Sequence, residues 1–211
     1  MKQQQLMTVY QRLLEAYGIQ AWWPADSTFE VMVGAVLTQN TSWINVEKAI
    51  SNLKHSDSLS LEGILALSDE ALAKLIKSSG YFNIKAKRLK NLCLWIADNG
   101  GESKLAELDT GILRSSLLQV NGVGPETADD ILLYAFARPV FVIDTYTRRL
   151  FTSLRLIHGS EPYDDLRQNF EAELEPDVSL FNQYHALIVR HAKEKCQLTV
   201  DCRHCDVERA I

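Results

Sequence analysis

The chain has 211 residues, 46% of them hydrophobic, enough to bury a sizeable core in one large domain or two small ones. A formal net charge of −5 is unlike a general nucleic-acid binder, whose affinity rests on neutralising phosphates, so contact with a polyanion would have to come from local basic clusters. The start, Met1-Lys2-Gln3-Gln4-Gln5, is polar and carries no signal-peptide pattern, and the longest apolar stretch, Ile131 to Ala137, is far too short to span a membrane, so a cytoplasmic protein without a membrane partner is expected.

In chain order, the first helix signal with a mechanism is Ser27-Thr28-Phe29-Glu30, a capping-box pattern followed by Phe29, Val33, Val36 and Leu37 at helical spacing. That helix carries Gln39 to its C-terminal end, where it faces a loop. Ser68 to Lys77 reads as an amphipathic helix with Leu72, Leu75 and Ile76 on one face. Lys85, Lys87, Arg88 and Lys90 form a local basic cluster, which by itself reads as a solvated helix face. Cys93, among Leu92, Leu94, Trp95 and Ile96, is expected to be a buried thiol. Gly100-Gly101 and the run His158-Gly159-Ser160-Glu161-Pro162 are the clearest breaks, and nearly every other stretch has helical periodicity, so an all-α fold is expected.

The most specific local signal is Val120-Asn121-Gly122-Val123-Gly124-Pro125. Its glycines permit positive φ and close backbone approach, which exposes N–H groups to an anion. Ile112, Leu113, Leu117 and Val120 give a preceding helix its apolar face; Pro125 suits a first helical position, and Ala128, Ile131, Leu132 and Ala135 continue at helical spacing. The unit therefore reads helix, hairpin, helix, with a phosphate-attracting helix start after Gly124. An ordinary packing corner would look the same from the glycines alone. Arg138-Pro139 ends the second helix, and the extended apolar run Val140 to Ile143 leads to Asp144, an N-cap for the segment Thr145 to Leu154 worth about 1 kcal/mol. A capped carboxylate stays ionised and aimed, so the cap and a catalytic role are compatible.

The order Gly122-Val123-Gly124, then Val142-Ile143-Asp144-Thr145, resembles the helix-hairpin-helix DNA glycosylases of the endonuclease III superfamily. Leu37-Thr38-Gln39-Asn40-Thr41 is similar to that family's loop with an inserting glutamine, Gly80 to Leu89 to its Lys-Ala-Lys segment, and Tyr184-His185-Ala186-Leu187-Ile188 to its last long helix. Trp22-Trp23-Pro24 with Gln39 to Trp43 looks closest to the type III 3-methyladenine branch. The resemblance implies two helical domains, residues 27–138 and residues 1–26 with 139–211, and an active site in the cleft between them. It implies Asp144 as the catalytic carboxylate, Gly122, Val123 and Gly124 gripping backbone phosphate, and Gln39 filling the hole left when the damaged nucleotide swings out, an extrusion costing a few kcal/mol. Trp22, Trp23, Pro24 and Trp43 would shape the base pocket, where an aromatic face attracts a cationic N-alkylpurine by about 0.5–2 kcal/mol.

The departures from the family pattern matter as much. Bifunctional members carry a lysine where this chain has Glu126, and a carboxylate cannot form the imine that nicks the backbone. The implied activity is a monofunctional glycosylase of base excision repair that removes alkylated purines such as 3-methyladenine from double-stranded DNA and leaves an abasic site. An endonuclease III-like enzyme for oxidised pyrimidines and a non-catalytic module for damaged DNA are the alternatives. Cys196, Cys202 and Cys205 resemble the family's 4Fe–4S loop, but Ile211 stands where the fourth cysteine belongs. A cluster with three thiolates and an unconventional ligand such as His204, or zinc, are the options there; the hydrolysis itself needs no cofactor. His185 and His191 read as packing or surface residues, and a monomer is expected.

Overall fold

A computed structural model describes residues Met1 to Lys195, and among these every regular element is helical. In chain order the helices are α1 (Gln3–Tyr17), α2 (Thr28–Leu37), α3 (Trp43–His55), α4 (Leu61–Ala66), α5 (Asp69–Leu75), α6 (Phe82–Asp98), α7 (Glu102–Ala106), α8 (Thr110–Leu117), α9 (Pro125–Asp130), α10 (Thr145–Ser153), α11 (Tyr163–Glu173) and α12 (Val178–Lys195). None of them is long and apolar enough to cross a membrane. The chain divides into two compact units, one formed by Met1–Pro24 with the chain from Ala137 onward, the other by Ala25–Phe136. Both crossings lie two residues before the boundaries expected at 26/27 and 138/139, beside the left-handed residues Trp23 (φ 55°) and Ala137 (φ 50°).

The Ala25–Phe136 unit is built around α2, whose residues from Phe29 to Leu37 are all buried. Ser27 caps it, its hydroxyl accepting from the Glu30 N–H at 3.2 Å. The reciprocal half of the capping box is redirected: the Glu30 carboxylate accepts from the Asp26 N–H and pairs with Lys54. At the other end of α2, the fully buried Lys85 of α6 donates to the carbonyls of Leu37 (2.8 Å) and Ser79 (2.6 Å). Its place in an exposed basic cluster is therefore corrected. Burial, then the charge of Arg88, brings its pKa down to about 8. Lys90 of the same expected cluster pairs with Asp69.

Helix α9 continues into one wide π turn over Ile131–Ala135, closed by Phe136 N–H on the Ile131 carbonyl. The helical run thus ends before Arg138-Pro139, at the left-handed Ala137, which re-aims the chain.

The other unit is centred on Phe141. Its ring stacks on Phe170 of α11 at 4.4 Å and meets Phe181 and Tyr184 of α12 edge-on. Tyr184 in turn donates to the Leu6 carbonyl of α1. Burying a phenylalanine of this kind is worth about 1.5–3 kcal/mol, so the apolar run Val140 to Ile143 is anchored by its side chains. It forms no strand: the Phe141 N–H donates to Glu171 and the Ile143 N–H to the Tyr163 hydroxyl. Anchoring this run fixes the position of Asp144 one residue later.

Candidate active site

The hairpin expected from the sequence is present within the Ala25–Phe136 unit, between α8 and α9. Val120 N–H closes on Leu117 O and Val123 N–H on Val120 O, each at 3.0 Å. Gly122 has φ 102°, and a Cβ placed on it would overlap the Arg88 side chain. Gly124 is the extended N-cap of α9, and a Cβ there would meet open space. The Val123 side chain is buried. A bidentate pair between Arg114 and the fully buried Asp129, at 2.6 and 3.1 Å, ties α8 to α9 on either side of the hairpin.

Gln39 is drawn onto this hairpin. Its amide N–H donates to the Gly122 carbonyl at 3.1 Å and the Thr127 hydroxyl at 2.9 Å, and Arg88 donates to its carbonyl oxygen. Trp43 opens α3 and donates from its indole to Glu47 at 2.9 Å. Glu126 is exposed in the first turn of α9, where a negative charge suits the helix dipole.

In the other unit, Asp144 caps α10: Oδ1 accepts from the Thr147 N–H at 2.6 Å. Its Oδ2 lies 3.4 Å from Nε2 of His185 on α12, and both side chains are almost wholly buried. Burial pushes the carboxyl up, but His185 and Thr147 together outweigh it and hold Asp144 below its ordinary 3.8. A buried, ionised, rigid carboxylate is the group a developing cation needs. Trp22 meets the His185 ring edge-on at 6.3 Å between centroids. Its indole N–H is buried with no hydrogen-bond partner among the described residues. Trp23 is half-buried and left-handed, and Pro24 is exposed. The Lys193 ammonium lies 5.9 Å from the Trp22 ring centroid and 5.6 Å from that of Tyr146, with Arg149 over Tyr146 too. Burial pulls the Lys193 pKa down, and the Asp144 charge works against that.

Residues 33–176 match the HhH-GPD superfamily of base excision DNA repair proteins. The chain belongs to this superfamily. It is a base excision repair DNA glycosylase. It is 47% identical, over 98% of this chain and 96% of the other, to a protein of Methanocaldococcus jannaschii provisionally named a DNA repair glycosylase. It is 27% identical to an endonuclease III of Sulfolobus acidocaldarius over 81% of this chain and 75% of that one. Among solved structures, the H. pylori 3-methyladenine DNA glycosylase MagIII, bound to 1,N6-ethenoadenine, superposes with a TM-score of 0.77 and 31% identity, covering 94% of this chain and 100% of that one.

For this glycosylase, the residues singled out in the sequence fall into two groups. Gln39 and Gly122 meet directly within one unit, and Asp144 and Trp22 are joined through His185 within the other. Lys193 and Tyr146 are residues that sequence reasoning missed, and Arg88 and His185 are ones it named without their partners. His185 is the clearest correction: it is neither surface nor simple packing, but a buried partner of the carboxylate. Periodicity identifies its helix face as buried and has no means of naming the opposing group. Cys196, Cys202, Cys205 and His204 lie outside the described residues; among the described ones, no cluster of three or more His, Cys, Asp or Glu side chains could hold a metal.

Proposed function

We propose that this glycosylase is monofunctional and hydrolyses the N-glycosidic bond of alkylated purines in double-stranded DNA, leaving an abasic site. The observation that carries the reading is the ionised Asp144 buried beside His185, with the Trp22 ring adjoining the histidine. An alkylated purine is a good leaving group, so the protein needs little acid catalysis. Asp144 stabilises the positive charge that grows on the sugar as the base departs, or orients the attacking water. Gly122 to Gly124 take up a backbone phosphate, and Gln39 leaves its hairpin contacts to fill the vacated stack. Trp22, Trp23, Pro24 and Trp43 select the base. Glu126 supports hydrolysis without strand cleavage, since its carboxylate has no nitrogen for an imine. The likeness to MagIII across nearly the whole chain supports the alkylpurine class.

Lys193 favours a second reading, in which the base removed is uncharged. Its ammonium already lies against Trp22 and Tyr146, so a cationic base would meet like charge there, whereas a neutral oxidised or deaminated pyrimidine would not.

The test is base release from duplexes each carrying a single lesion: 3-methyladenine, ethenoadenine, an oxidised pyrimidine or uracil. Wild type and Asp144→Asn are compared, with strand integrity checked before and after alkali. Release of alkylated purine by wild type alone, with breaks only after alkali, bears out the first reading. Release confined to uncharged pyrimidines replaces it with the second. Binding without release of any base leaves a non-catalytic damage-recognition module.

A further inference from the structure

Asp144 has both carboxylate oxygens engaged from different directions. Oδ1 is held by the Thr147 N–H of its own helix α10, and Oδ2 faces Nε2 of His185 on α12, across the packing of those two helices. We infer that His185 is a positioning residue for the catalytic carboxylate: its Nε2 aims Oδ2 and, with the Thr147 cap, keeps a nearly water-free Asp144 charged. The inference rests on the proposed role of Asp144 in base release.

The physical case is a balance. An unpaired carboxylate as buried as Asp144 would protonate, because removing it from water penalises the anion. The imidazole favours the charged form most, and the Thr147 N–H at 2.6 Å, with the hydroxyl of the same residue, adds to it. The other groups around the pair are known. From α10, Tyr146 has its pKa raised by burial first and then by the Asp144 charge, and Arg149 covers the Tyr146 ring. From α12, Lys193 lies near Asp144 over Trp22 and Tyr146. The segment after α1 contributes the Trp22 ring, roughly perpendicular to that of His185. His191, on the same helix as His185, turns instead to the Tyr17 hydroxyl of α1 and serves a separate contact. His185 therefore joins the carboxylate to the Trp22 ring, so a base stacked on Trp22 would sense the same histidine that orients Asp144.

The test separates an electrostatic role from a structural one. Single-turnover base release is measured against pH for wild type, His185→Gln and His185→Leu, alongside a carboxyl carbon NMR titration of Asp144 in the free proteins. Glutamine keeps an N–H donor and leucine removes it. His185→Leu should move the acid limb of the rate profile and the Asp144 titration to higher pH by about one unit or more, a loss of about tenfold in rate below the shifted limb. His185→Gln should restore most of the wild-type position, with duplex affinity unchanged in both. Should the leucine variant fail to fold, His185→Met, also without a donor, takes its place. Superimposable titrations of wild type and the donor-free variant overturn the inference, as does equal loss in the glutamine and donor-free variants. The NMR arm needs no substrate, so an inactive protein would defeat the proposed function while still deciding this point.

Discussion

A Cβ added to Gly122 would lie 2.2 Å from Cγ of Arg88, and the Arg88 guanidinium donates to Gln39, which in turn donates to the Gly122 carbonyl. The hairpin glycine is thus required twice, for its φ of 102° and for the space Arg88 occupies.

Gly122→Ala should consequently do more than strain a turn. Left-handed backbone costs about 1–3 kcal/mol for a side-chain-bearing residue, and displacing the Arg88 stem also releases Gln39. The expected result is a lowered melting temperature and weaker duplex binding. Gly124→Ala, where the added Cβ meets open space in the free protein, should keep the melting temperature and lose only DNA affinity. Thermal denaturation and fluorescence anisotropy on both variants check this.

Asp144→Asn keeps an oxygen to cap α10 and removes the charge. Base release should fall by about 100-fold or more, the scale of losing one preorganised electrostatic group, with lesion-duplex affinity retained. Single-turnover kinetics with a binding titration separate the two effects.

Lys85→Met should destabilise the Ala25–Phe136 unit. It leaves the Leu37 and Ser79 carbonyls without the ammonium that now satisfies them, at about 1–3 kcal/mol for each buried acceptor. Urea denaturation would register the loss, and a change near zero would mean that water replaces the lysine.

Stability should also fall on mild acidification through His191. Burial first, then the charge of Lys195, holds its pKa below the ordinary 6.5, so below about that pH the unfolded chain takes up a proton that the folded chain resists. The neutral His191 contribution is complete above 6.5 and is lost as pH drops from there towards the folded value. His191→Gln should flatten this part of the stability profile, measured by chemical denaturation at a series of pH values.

Much of the fold was legible locally. Ser27, Ser68 and Asp144 occupy their helix starts, the helices around Leu72 and Ala128 follow apolar spacing, and Gly122 makes the hairpin, because capping and turn geometry depend on residues within one helical turn. The Glu30 half of the capping box and the basic cluster at Lys85 depart from the sequence expectation for the same physical reason. A long polar side chain has several partners within reach, and the one it takes depends on which helix packs beside it.

By itself, then, the sequence determined the helical class, the positions of the hairpin and the Asp144 cap, and the superfamily those motifs resemble, all of which rest on short-range chemistry. The tertiary structure alone decided that His185 faces Asp144, that Lys193 lies over Trp22, and that Gln39 docks on a hairpin 83 residues away, since each pairing is set by packing between helices remote in the chain. Periodicity tells which face of a helix is buried, and only the fold tells against what.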